Sequence, residues 1–333
     1  MATIKDIAKA AGVSEATVSY VIHNKTHKVS AKTIAKVNKI INELGYTSNM
    51  YASSLASKSS RIVAYIANAQ QHLNINIYRT LLIDSVEKEL FNAGYYLMLK
   101  TLTSPEELDL FIKNWNLAGV IFYGPLSYPF YSVLKSANTS IITIDNHYPN
   151  DIASNIGIND YNGAVLATEY LIKKGHTKIA FATPHLLGSP LTYIRYMGYK
   201  NTLLRYNITP DEDLFFEELD GNGFPLGTKV AKSNATAVFV GSDMLAFEVM
   251  AGIRSAGKSI PDDISVIGFD DISTCNVVSP PLTTIHNDGL AKGQLTARLL
   301  LSQISSDNTE KISVSLPVYI VERKSVKDLN QNN

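Results

Sequence analysis

The sequence predicts an α/β chain in two unequal parts: an N-terminal three-helix module of helix-turn-helix type, then two doubly wound parallel-sheet subdomains. Three observations carry this. Beyond residue 61, short β-rich apolar runs alternate with longer helical stretches, the rhythm of parallel strands joined by crossover helices. Before it, apolar residues recur at helical spacing in three short segments. The charge is also unevenly divided. The 333 residues balance 30 Lys and Arg against 30 Asp and Glu, yet the first 61 hold nine positive residues against Asp6, Glu15 and Glu43. A basic module on a larger acidic body suits a nucleic-acid binder with a separate regulatory part.

The first helix starts at a capping box, Thr3-Ile4-Lys5-Asp6, in which hydroxyl and carboxylate satisfy the free amides of the first turn. Ile4, Ile7, Ala8 and Ala11 then line one face, and Gly12 ends the helix in a tight turn. Ser14 caps a second helix running through Val21, and a third is expected from Ser30 to Leu44, with Ile34, Val37, Ile41 and Leu44 on one face. Two short helices joined by a glycine turn form a helix-turn-helix, and the third closes its core. Such a bundle need bind nothing. The second helix, however, offers Glu15, Ala16, Thr17, Ser19 and Tyr20 where a buried helix would offer large apolar groups. Methyls suit thymine, hydroxyls suit phosphate, and Tyr or Glu suits base edges.

Residues 48–60 are Ser-rich and read as a linker with enough Ala and Leu to form a short helix. Strands are then expected at 62–67, 95–100, 119–124 and 140–145, with helices at 78–93 and 105–115. A second set follows: strands at 178–183, 237–242 and 265–270, helices at 163–174, 193–206 and 243–256. Ligands of open parallel sheets bind beyond the carboxyl ends of the strands, which directs attention to Asn68, Tyr123, Asp145, Asp243 and Asp270.

Enzymatic chemistry has no visible footing. The chain lacks G-x-G-x-x-G, a P-loop, G-x-S-x-G and H-E-x-x-H. Its seven histidines are scattered without ligand spacing, so neither a metal nor a cofactor is expected. The lone Cys275 cannot form an internal disulfide, no apolar run spans a bilayer, and the start has no basic region before a long apolar run. A cytoplasmic location is expected.

The runs TIKDIAKAAGVSEATVSYVIHN and VSAKTIAKVNKIINELGYTSN resemble the DNA-binding headpiece of the lactose repressor/galactose repressor (LacI/GalR) family of bacterial transcription regulators. The resemblance implies base-reading roles for Glu15, Ala16 and Tyr20 and phosphate contacts for Thr17, Ser19 and Asn24, with the caps Thr3 and Ser14 on the same DNA-facing surface. It also implies a hinge helix around Asn49, Ala52 and Leu55, with Leu55 as a minor-groove wedge and Ala52 allowing two backbones to approach. Ser48 departs from the proline that the family commonly has before the hinge asparagine.

The remaining residues resemble the family's effector core, itself similar to periplasmic sugar-binding proteins, through LIKKGH at 171–176, Arg195 before Gly198-Tyr199, SVIGFDD at 265–271 and PPLTTI at 280–285. By resemblance the effector contacts carry over to Asp270, Arg195 and Asp243, then to Asp145, Asn287 and Tyr78. Phe224 is a candidate for stacking on a sugar face, and Ser242 stands where the family usually has asparagine. The implied organisation is a headpiece at 1–47, a hinge at 48–60 and a core at 61–333, the latter divided into 61–158 with 288–315 and 159–287 with 316–327. The implied function is a homodimeric repressor of carbohydrate-utilisation genes that binds a pseudo-palindromic operator and is released by a small sugar. The tail SVKDLNQNN has no leucine heptad, so dimers only are expected. Alternatives are a purine effector, a phosphocarrier co-regulator, or a cytoplasmic solute-binding module without transcriptional output.

Overall fold

The computed structural model describes residues 2–22, 28–46, 60–68, 77–124, 126–146, 152–184, 190–218, 222–306 and 310–332. The chain divides into two compact units, Met1–Ser60 and Arg61–Asn333.

In the first unit, α1 (Ile4–Ala11) opens on the capping box: the Thr3 hydroxyl accepts from the Asp6 amide, and the Asp6 carboxylate accepts from the Thr3 amide at 2.9 Å. The Thr3 hydroxyl also donates to that carboxylate at 2.7 Å, and this bond first, then the Thr3 amide, holds the Asp6 carboxyl below its usual range. Gly12 closes the helix with φ of 61°, a left-handed conformation that costs glycine nothing. The Ser14 hydroxyl caps α2 (Glu15–Ile22) by accepting from the Thr17 amide at 3.1 Å, and Ser30 caps α3 (Ala31–Glu43) in the same way. Ile7, Ala8, Ala11, Val18, Val21 and Val37 form the shared core.

The second unit contains two six-stranded sheets. The first has the order β11-β5-β4-β3-β1-β2, built from β1 (Ile62–Asn68), β2 (Tyr96–Leu102), β3 (Gly119–Tyr123), β4 (Ser140–Ile144), β5 (Ser154–Ile158) and β11 (Ser313–Leu316). Its helices are α4 (Ile77–Asn92), α5 (Pro105–Asn114), α6 (Tyr128–Ser136) and α11 (Gly289–Ser305). The second has the order β12-β10-β9-β8-β6-β7, from β6 (Ile179–Thr183), β7 (Phe215–Glu217), β8 (Ala237–Val240), β9 (Ser265–Asp270), β10 (Thr283–His286) and β12 (Tyr319–Val321). Its helices are α7 (Asp160–Lys173), α8 (Pro190–Arg205), α9 (Gly223–Lys232) and α10 (Asp243–Ser255). Strands such as β3, β6, β8 and β9 are buried almost throughout because helices cover both faces, which is why they read as unbroken apolar runs.

Every strand expected from sequence is present, but β5, β7, β10, β11, β12 and helices α6, α9 and α11 were not anticipated. Those strands have three to five residues, too few to establish a period, and β5 (SNIGI) carries a central glycine.

Two consequences of this topology position a ligand site. The chain passes between the sheets three times, after β5, after β10 and after β11, so Asn159, Asn287 and Pro317 lie on the connecting strands. Each sheet also has a point where consecutive strands leave in opposite directions: between β1 and β3 in the first, between β6 and β8 in the second. Crevices open at the carboxyl ends of strands at such points.

Candidate DNA-reading face and effector cleft

Helix α2 turns Val18 and Val21 into the headpiece core, which fixes what its other faces can present. Glu15 and Ala16 are exposed; Thr17, Ser19 and Tyr20 are half-buried. The Lys28 ammonium lies 5.1 Å from the Tyr20 ring centroid, so the phenol carries a cation on its face. Lys5, Lys9, Lys32, Lys36 and Lys39 are exposed around the same small core. Thr3 and Ser14 are occupied in capping, and the Ser14 hydroxyl also bonds the Thr17 hydroxyl at 2.9 Å, so they set the helix starts. Asn24, Asn49, Ala52 and Leu55 lie outside the described residues.

In the second unit the cleft residues converge from both sheets. Asp270 ends β9 with φ of 123°, a conformation rare for any side-chain-bearing residue, and Asp145, just after β4, has φ of 54°. Strain at such positions is typical of residues held for a task. The Tyr78 hydroxyl, from the first turn of α4, donates to Asn287 Oδ1 at 3.0 Å, and Asn287 Nδ2 donates to Asp270 Oδ1 at 3.4 Å. That relay joins the first lobe to the second through a connecting strand. Beside it, Lys292 on α11 donates to Asp145 Oδ1 at 2.7 Å and is 0% exposed. Burial pushes the Asp270 carboxyl up to about 7, and nearby Asp243 adds to this, while Arg195, Asn287 and Lys292 oppose it. The Tyr123 hydroxyl is pushed up by burial and by Asp145 and Asp270, with Arg79 and Arg195 pulling the other way. Those four charged residues therefore all act on one phenol.

Arg195 reaches the cleft already engaged. Its Nε donates to Asp160 at 2.8 Å, another nitrogen donates to the Gly241 carbonyl at 2.6 Å, and the guanidinium lies 3.6 Å from the Phe269 ring centroid. Ser242 caps α10 in position but makes no side-chain cap bond, so its hydroxyl is left over at the carboxyl end of β8. Phe224 is 44% exposed at the start of α9, which follows β7 and so begins at the same edge of its sheet.

Asp243 requires a correction. Expected to face the effector, it is 0% exposed: Oδ1 accepts from the Thr284 hydroxyl at 2.6 Å, and Oδ2 accepts from the Ile272 amide and the Cys275 thiol at 3.1 Å each. A Cβ on Gly268 would stand 2.2 Å from Asp243 Oδ1, so that glycine makes room for the carboxylate. Asp243 therefore ties α10 to β10 and the turn after β9. Asp271 is structural too, accepting from Arg323 at 2.6 Å and facing His286 Nδ1 at 2.8 Å. His176 bridges Thr236 and the Lys327 carbonyl.

Sequence reasoning missed Tyr65, Arg79, Asp160 and Lys292. Tyr65 sits in a strand that reads as apolar; Lys292 sits on a helix that was not anticipated. Among the described residues, no group of three or more His, Cys, Asp or Glu is placed to hold a metal, and no helix is long and apolar enough to cross a membrane. A cavity of about 370 Å³ between Ile179, Leu203, Ile208 and Asp211 lies at the amino end of β6, away from these groups.

A small helix-turn-helix unit and a two-lobed α/β body with a polar cleft together define a ligand-responsive DNA-binding regulator. Residues 3–49 match the bacterial regulatory proteins of the lacI family, and residues 168–326 match the periplasmic binding protein-like domain. The HTH-type transcriptional repressor PurR of Vibrio atlanticus (strain LGP32) is 34% identical over 99% of this chain and 100% of its own length; that of Histophilus somni (strain 129Pt) is 33% identical over the same shares. The lac repressor dimer bound to operator and the anti-inducer ONPF superposes with a TM-score of 0.85 at 27% identity, covering 98% of this chain and 99% of the other. A LacI family regulator from Enterococcus faecium with bound ribose gives 0.70 at 28%, covering 80% and 99%. The chain belongs to the lacI family of bacterial regulatory proteins and is a DNA-binding transcriptional repressor.

Proposed function

We propose that this repressor acts as a homodimer on a pseudo-palindromic operator and is released by a small polyhydroxylated effector, a sugar, bound between its two lobes. The observation that carries the effector assignment is the convergence of Asp270, Asn287, Tyr78 and the Asp145–Lys292 pair at the carboxyl ends of both sheets. Carboxylates and amides bond vicinal hydroxyls in pairs, and a buried site makes each bond selective. Ser242 supplies a further hydroxyl, Arg195 holds charge beside Asp270, and Phe224 offers a face for stacking. The ribose-bound relative supports the same class. In the headpiece, Glu15, Ala16 and Tyr20 read bases in the major groove, and Thr17 and Ser19 meet phosphates. Asn24, Asn49, Ala52 and Leu55 take the phosphate, hinge and wedge roles. The headpiece spans residues 1–47, the hinge 48–60 and the core 61–333. The protein catalyses no reaction and works in the cytoplasm.

Effector binding shifts the angle between the lobes and lowers operator affinity by a coupling of roughly 1 to 3 kcal/mol, and operator weakens the effector equally. A purine is the second reading, favoured by the aromatic lining of Tyr65, Tyr123 and Phe224. Fluorescence anisotropy on inverted repeats from upstream of its own and neighbouring genes, titrated with sugars and nucleobases, separates the two. Release by a sugar supports the proposal; release by a nucleobase alone replaces it.

A further inference from the structure

The first-lobe wall of the cleft carries a cation with no carboxylate partner among the described residues. Arg79, in the first turn of α4, lays its guanidinium 5.8 Å from the Tyr65 ring centroid and 5.6 Å from that of Tyr123. The two rings are 5.8 Å apart and inclined by 24°. They stand on β1 and β3, the strands that flank the reversal point of the first sheet, where a ligand crevice opens. Among the described residues, Arg79 Nε is buried without a hydrogen-bond partner, and so is Tyr65 Oη. The other two cations of the cleft are taken, Lys292 by Asp145 and Arg195 by Asp160, both at 2.7 Å. Among the described residues no carboxylate pairs with Arg79.

Unsatisfied buried donors are uncommon because each forfeits its bonds to water. The guanidinium lies within cation–π range of both tyrosine rings and close enough to the Tyr65 hydroxyl to favour its ionised form, so these two side chains restrict where its fork can turn. A planar guanidinium fork fits a carboxylate or phosphate through paired N–H···O bonds. We propose that Arg79 selects an effector that carries an anionic group, a phosphate or a carboxylate, on its polyhydroxylated body. The anion sits on Arg79 with the Tyr65 hydroxyl as an additional donor, and the sugar hydroxyls face Asp270 and Asn287. This rests on the cleft being a sugar site.

Isothermal titration of the full-length protein with matched pairs tests it: ribose against ribose 5-phosphate, glucose against glucose 6-phosphate, and glucose against gluconate. The expected result is that one anionic member binds at least about tenfold tighter than its neutral partner. The phosphate and carboxylate arms show which anion is read. Arg79→Gln brings that affinity down to the neutral level with an unchanged unfolding midpoint, and Arg79→Lys recovers part of it. Equal binding of neutral and anionic members, an unchanged affinity in Arg79→Gln, or no binding by any anionic member overturns the assignment. Neutral sugars that bind and release operator without dependence on Arg79 leave the sugar cleft standing. Binding by nucleobases alone removes both.

Discussion

The two walls of the cleft are built by opposite rules. On the second lobe nearly every charged or polar group is committed to another: Arg195 to Asp160 and the Gly241 carbonyl, Asp243 to Thr284, Cys275 and the Ile272 amide, Asp271 to Arg323 and His286. On the first lobe, among the described residues, Tyr65 Oη and Arg79 Nε are buried without partners and four charges act on the hydroxyl of Tyr123, while the Asp145–Lys292 pair and the Tyr78–Asn287 bond are matched. A satisfied network is rigid and specifies one geometry, whereas unmatched groups can still gain bonds from a ligand. The difference makes most of the second wall scaffold, with Asp270 as its ligand contact, and puts the reading of ligand charge on the first.

The largest expected effect falls on the exception. Lys292 and Asp145 form a buried ion pair, so Lys292→Met strands a carboxylate that is 7% exposed and should cost about 3 to 5 kcal/mol of stability. Asp145→Asn combined with Lys292→Met should recover most of it, because no charge is then left buried. Urea unfolding of the two variants measures both. A cost below about 1 kcal/mol for Lys292→Met would place the pair among exposed surface pairs and erase the contrast within the first wall.

On the second wall, Asp243→Ala removes the acceptor of three hydrogen bonds and should cost about 2 to 4 kcal/mol, since the Ile272 amide and Thr284 hydroxyl are left buried. Asp270→Asn should do the reverse: little loss of fold, but a loss of about 2 kcal/mol, some thirtyfold, in effector affinity. Calorimetry on both variants separates scaffold from contact. Equal affinity losses in the two would merge the roles that the structure divides.

Asp270 also makes the comparison sensitive to pH. Its carboxyl, pushed up to about 7, lies above the roughly 3.9 of an unfolded aspartate, so the folded state binds more protons between those values. Its contribution to stability is fully present below about pH 4 and is lost as pH rises to about 7. Effector affinity should rise over the upper part of the same window, as the ionised acceptor forms. Stability and affinity measured from pH 5 to 8 should show both trends in the wild type and neither in Asp270→Asn.

Much of this was legible in the sequence, for identifiable reasons. Strands buried on both faces announce themselves as apolar runs, and the caps Thr3, Ser14 and Ser30 are local signals satisfied within three residues. Asp270 and Asp145 were marked by ending such runs. The commitments of those residues were not legible, because they depend on pairs distant in sequence: Lys292 lies 147 residues from Asp145, and Thr284 lies 41 from Asp243. Asp243 stands in the same position after a strand as a ligand contact would, and only its partners show that it faces the core. Arg79 was invisible because an arginine in a first helical turn ordinarily reads as solvated.

The smallest effect on stability gives the sharpest test. Tyr65→Phe removes a buried hydroxyl that has no hydrogen-bond partner within normal bond length among the described residues, so the folded state loses little. Thr183, at the carboxyl end of β6, is the matching case on the second wall: its hydroxyl is 0% exposed and likewise unpartnered, and valine has nearly its shape. Both substitutions should therefore leave stability within about 1 kcal/mol of wild type or raise it. Their effects on the effector should differ. If the first wall discriminates among ligands, Tyr65→Phe weakens binding about tenfold, the worth of one hydrogen bond to an anion, while Thr183→Val changes it little. Equal losses would mean that unmatched groups on either wall read the ligand alike, and that the packing around Thr183 serves recognition as much as rigidity.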